Sequence, residues 1–254
     1  MPLDAAHWLL VLFAAAFGGA VGSFLNVVIY RLPNGLSLIS PPSHCPTCKQ
    51  PIRWFDNVPV FGWIMLGGRC RHCHCRISIR YPLVEAFTAA MFAALAIVED
   101  HPLTAAYPCH LLLLCTLLCS ALIEVDGNRP PLRLFLPALI VGVAVPLIWP
   151  IDRLNVLAGL AAGVVASGVI WLLFLAWPKM RGKNASDVAS PASGLPLGLI
   201  CAGPLLGWLA LALVALVTVA VYALLLFPRR GEPRIQVPPS VWLLIATLAW
   251  LLVP

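Results

Sequence analysis

Charge is the scarcest thing in this sequence. Of 254 residues, 10% are Asp, Glu, Lys or Arg, while 61% are hydrophobic. A soluble domain carries about 25% charged residues. Ten acids and sixteen bases could not cover the surface of a water-soluble globule of this length. Disorder is excluded by the same apolar excess. The first six residues hold Asp4 and no Lys or Arg, so the apolar run behind them does not read as a secretory signal. No Gly-x-Gly-x-x-Gly dinucleotide fingerprint is present. No internal repeat suggests a transporter built from two halves. The long apolar runs are also nearly free of ionisable residues in their middles, where a channel or transporter would line its path. What remains is an all-α polytopic membrane protein.

Charges and prolines divide the chain into eight candidate spans, each approaching the roughly 20 apolar residues that a bilayer demands. They are Trp8–Val28, Leu83–Val98, Leu103–Ile123, Leu134–Trp149, Val156–Trp177, two short spans cut from Leu195–Phe227 near Gly207, and Val237–Val253. The cut follows from length, because 33 uncharged residues are too many for one ordinary span. Loop charges support it. With both termini outside, the loops after the first, third, fifth and seventh spans collect every Lys and Arg except Arg153. Basic residues concentrate on the cytoplasmic side, so the net charge of +6 marks membrane orientation and not a nucleic-acid partner.

One cytoplasmic loop is large. The expected organisation is a first helix over 1–30, a module over 31–82 and a seven-helix membrane domain over 83–254. About 50 residues cannot hold together by core burial alone and usually need a staple. Cys45-Pro-Thr-Cys48 and Cys70-Arg-His-Cys73 supply one: two knuckles whose spacing lets paired thiolates converge on one tetrahedral zinc ion. Cys75, His44, His72 and His74 stand near enough to substitute as a ligand. Reduced thiols or a redox pair are the alternatives. Cys109, Cys115, Cys119 and Cys201 fall in spans and read as small buried hydrophobes.

The string Gly22-Ser-Phe-Leu-Asn26-Val-Val-Ile-Tyr-Arg31-Leu-Pro33, then the two knuckles with Asn57-Val58-Pro59 between them, then Arg80-Tyr-Pro-Leu-Val-Glu85, resembles the prepilin leader peptidase / N-methyltransferase family. The resemblance is strongest over residues 20–90. It implies an enzyme of the bacterial inner membrane that cuts the leader from type IV prepilins or type II secretion pseudopilins. It also implies methylation of the new N-terminus with S-adenosylmethionine, a function associated in the family with the cysteine loop and a glycine pair, here Gly67-Gly68. A plain turn is the other reading of that pair.

The family's peptidase chemistry needs two aspartates that share a proton. At the first position this chain has Leu122-Ile123-Glu124-Val125-Asp126, which puts Glu124 where the family has aspartate and Asp126 at a neighbouring acid. At the second, Ala192-Ser193-Gly194-Leu195 aligns with Gly-x-Gly-Asp, so the aspartate has become Leu195. Asp187 is the nearest acid that a shifted loop could supply; as an ordinary residue it is a solvated loop charge. The acids at 124 and 126 likewise read as a helix end facing water. The expectation is a family member with peptidase activity lost or impaired. The alternative is an inactive member that binds pilin-like helices as an assembly or accessory protein.

Overall fold

The computed structural model describes residues 5–98, 106–148, 157–169, 194–204 and 237–252, together with 206, 211, 214 and 215. Among them the regular structure is helical, as the composition implies. The helices are α1 (Ala5–Arg31), α2 (Phe61–Met65), α3 (Arg80–Val98), α4 (Ala106–Val125) and α5 (Leu136–Ile148), then α6 (Leu157–Val169), α7 (Gly194–Pro204) and α8 (Pro239–Leu252). Three segments are long and apolar enough to cross a membrane: α1, α3 and Tyr107–Val125 of α4. Helices α5 to α8 are apolar but shorter as described. Most of the expected sixth and seventh spans, like Asp187, lies outside the described residues.

The chain divides into two compact units, residues 1–102 and 103–254. In the first, α1 packs antiparallel on α3. The contact face of α1 recurs at helical spacing, with Val11, Ala14, Gly18, Gly22, Leu25 and Ile29 buried. Gly18 and Gly22 form a small-xxx-small step that lets the backbones approach. A Cβ on Gly18 would sit 2.8 Å from Phe92, and one on Gly22 would sit 2.8 Å from the Glu85 Cα. The amide of Asn26 donates to the Tyr81 carbonyl at 3.2 Å and fixes the register.

In the second unit α4 is central. Leu113, Leu114, Leu117 and Ile123 are fully buried, and the helix packs on both α5 and α8. A helix that is apolar all round belongs in an interior. Cys109, Cys115, Cys119 and Cys201 are buried here, as small hydrophobes should be. The hydroxyl of Ser167 on α6 donates to the Pro196 carbonyl of α7 at 2.7 Å, and Gly163 lets the two helices close.

Candidate functional sites

The first unit holds the cysteine centre. Its knuckles are built alike. The Cys45 amide donates to the Gln50 carbonyl at 2.9 Å, as the Cys70 amide does to Cys75. Lys49 and His74 donate back to the carbonyls of Cys45 and Cys70. Both stand in the left-handed region, with φ of 59° and 56°. That conformation is uncommon outside glycine, and here it turns each chain so that its two thiols face one point. The sulfurs of Cys45, Cys48, Cys70 and Cys73 all lie within 4.8 Å of one another. A zinc–sulfur tetrahedron with bonds of about 2.3 Å has edges of about 3.8 Å. The Cys45–Cys73 and Cys48–Cys70 separations are 3.7 and 3.9 Å. The donor set therefore fits zinc and could hold it.

Electrostatics agrees with a cation site. The Cys48 amide draws the Cys45 thiol down to about 6, helped by Thr47 and the facing thiols and opposed by burial. The amide of Cys75 lowers Cys73 in the same way. The Gln50 amide also favours the Cys48 thiolate, but burial and the thiols of Cys45, Cys73 and Cys70 outweigh it and push Cys48 up to about 12. Four thiolates cannot share this space unaided; a divalent ion at the centre removes the conflict. Cys75 touches Cys45 at 3.5 Å but is not one of the four converging sulfurs. A bidentate Arg71–Asp56 pair, at 2.7 and 2.5 Å, ties the second knuckle to the turn at Trp54–Asn57. Arg71 holds the Asp56 carboxyl below its usual range.

Gly67 and Gly68 close α2. Both have positive φ, and their amides donate to the carbonyls of Ile64 and Trp63. A Cβ on Gly68 would meet the Trp63 ring at 2.7 Å, so this buried glycine is needed for packing. Gly67 is exposed, with open space where a Cβ would stand.

The second unit holds the carboxylate cluster. Glu124 lies in the last turn of α4. Its Oε1 accepts the amide of Gly194, the first residue of α7, at 3.1 Å. Its Oε2 accepts the hydroxyl of Ser240 in the first turn of α8. One carboxyl thus joins three helices across 70 and 116 residues of sequence. A carboxylate at a helix N-terminus gains from the open amides and the helix dipole. A Cβ at 194 would collide with the Ser120 hydroxyl and stand 2.5 Å from Glu124 Oε1, so a larger residue there has to displace both side chains. The Ser120 oxygen is itself buried with no partner among the described residues. Leu195, beside Gly194, is 2% exposed. Asp126 is exposed beyond the helix end, where Gly127 reverses the chain with φ of 77°. The family resemblance points to Glu124 and Gly194-Leu195 but not to Ser240 or Ser120. The only hint of Ser240 was Pro238-Pro239 ahead of an apolar run, which marks a helix start and names no partner.

Comparison with known proteins places the chain in a family. Residues 16–98 match the family model "Bacterial Peptidase A24 N-terminal domain". A prepilin leader peptidase/N-methyltransferase of Aeromonas hydrophila is 33% identical over 250 residues, covering 85% of this chain and 81% of the relative. The chain belongs to this family. The Aeromonas salmonicida relative of the same name is 32% identical over 96% of this chain and 92% of its own length. The Myxococcus xanthus relative is 36% identical over 62% of this chain, and the match spans 47% of that protein. No solved structure matches. The match to the prepilin peptidase family model, residues 16–98, includes both knuckles and the Asn57-Val58-Pro59 segment.

Proposed function

We propose that this chain is an inner-membrane member of the prepilin peptidase family that receives prepilin-like or pseudopilin helices and has lost most or all leader cleavage. The observation that carries the reading is the state of Glu124. Both its oxygens accept hydrogen bonds, from Gly194 and Ser240, and the residue after Gly194, at the second family position, is the buried Leu195. Aspartic proteolysis needs two carboxylates close enough to share a proton, one to activate water and one to polarise the carbonyl. Among the described residues, Glu124 stands without a second carboxylate partner, and leucine can neither bind nor release a proton. The carboxyl serves as a clamp on the starts of α7 and α8. Asp126 and Asp187 are not part of the machinery in this reading.

The cysteine module is cytoplasmic in this proposal. Cys45, Cys48, Cys70 and Cys73 hold a structural zinc ion that staples residues 31–82. N-methyl transfer from S-adenosylmethionine is the activity open to the module, with Gly67 the exposed member of the glycine pair. The test is co-expression with a prepilin-like substrate in a host that lacks any other such peptidase. N-terminal mass spectrometry scores leader removal and one added methyl group separately. Uncut substrate that co-purifies with this chain is the expected result. Robust cleavage would overturn the reading and return Glu124 to a catalytic role.

A further inference from the structure

We propose that the segment Pro59–Met65 of the cysteine module enters the apolar layer of the bilayer as a short re-entrant turn in contact with lipid chains. The inference starts from depth. Asn26 and Tyr81 stand level, near the ends of α1 and α3 that Arg31 and Arg80 mark. Gly19 lies seven residues further along α1, about 10 Å inward at 1.5 Å per residue. A Cβ on Gly19 would stand 3.3 Å from Pro59 and 3.9 Å from Ala89, in the middle of α3. Pro59 therefore sits beside the central part of two helices long and apolar enough to span. The chain between Asp56 and Arg69 carries no charge. It presents Phe61, Ile64 and Met65, which are 66%, 59% and 82% exposed. In water that would be an apolar patch without a purpose. Beside two spans it continues their lipid-facing surface.

A turn can occupy that layer only if its backbone polar groups are satisfied by protein. This one has protein partners for the amides of Val60, Phe61, Gly62 and Ile64 at one end and of Gly67 and Gly68 at the other. The Val60 amide donates to the Glu85 carboxylate of α3 at 2.7 Å. Those of Phe61 and Gly62 donate to the carbonyls of Pro59 and Val58. At the other end Gly67 and Gly68 donate to Ile64 and Trp63, and the Trp63 indole donates to the Ile77 carbonyl at 3.1 Å. Val60 is held at φ of 63°, an outlier for a β-branched residue, and the Glu85 bond falls on its own amide.

The test uses the full chain in vesicles of phosphatidylethanolamine and phosphatidylglycerol. A benzophenone amino acid replaces Phe61 or, in a second variant, Met65. Phe13, 70% exposed on α1, is the lipid-facing reference, and the exposed Thr47 on the first knuckle is the water-side reference. Phospholipid adducts after irradiation are read by mass. The expected yield at both 61 and 65 matches Phe13 and exceeds Thr47 by about tenfold. A yield at 61 and 65 no higher than at Thr47, or crosslinks there to a second copy of the chain, would overturn the proposal. Absence of adducts at Phe13 as well would overturn the membrane reading of α1, and the insertion with it.

Discussion

Glu124 shows how one carboxyl group can join three helices. Its side chain spans the distance to two donors at once, the Gly194 amide and the Ser240 hydroxyl. Removing an acceptor strands its donors, and each buried donor left unpaired costs about 1–3 kcal/mol. Glu124→Ala is therefore expected to destabilise the second unit by about 2–4 kcal/mol, read as a lower thermal midpoint in detergent. Glu124→Gln can accept the Gly194 amide with its oxygen and donate its NH2 to the Ser240 hydroxyl, which also accepts, so it should lose much less than Glu124→Ala. A residue held only for catalysis would be lost without a stability penalty, and that outcome would remove the clamp. Gly194→Ala tests the same joint from the other side. Its Cβ has no room beside Ser120 and Glu124, so overpacking of about 1–3 kcal/mol is expected from the same thermal measurement.

At the scale of elements, what was legible in the sequence depended on how local the cause was. The knuckles were readable because two intervening residues fix where paired thiols can point, and the four sulfurs do converge. α1 and α3 were readable from apolar length: α1 extends a few residues past both expected ends, and α3 starts earlier but ends at Val98 as expected. Pro82 did not delay α3, because proline is tolerated in a first turn. The clamp was not readable: Ser240 lies 116 residues from Glu124, and neither residue carries a local mark of the other. The strained Val60 escaped for the same reason, since its partner Glu85 belongs to another helix. The α1–α3 contact gives a prediction at this scale. Gly22→Val would drive a branched side chain into the Glu85 Cα and Thr88, where the backbones leave no slack. A loss of about 1–3 kcal/mol or more is expected, seen as faster proteolysis of the first unit. Ala16→Val, on the exposed face of the same helix, is the control.

For the whole molecule, the two units rest on different sources of stability. The second buries a run of leucines on α4, from Leu111 to Leu118, among other apolar side chains. The first joins a helix pair to a module with little core. In that module Cys45 is buried, while Trp54, Phe61 and Met65 remain largely exposed. Binding free energy of a structural zinc ion is folding free energy for such a module. Stripping the metal with a strong chelator should therefore open residues 38–78 to protease while α4 and α8 stay protected. Cys48→Ser should reproduce the pattern without chelator. It removes one of four ligands and leaves thiols whose mutual repulsion no cation relieves. Acid should do the same as chelator, because ligands must be deprotonated to bind metal. The Cys45 and Cys73 thiols, lowered by the amides of Cys48 and Cys75, are the ones that keep their charge longest as pH falls. The readout is limited proteolysis with mass mapping alongside metal content. Cleavage spread evenly over both units would show that the metal supports the whole chain. An unchanged map after complete metal loss would show that the knuckles fold without it.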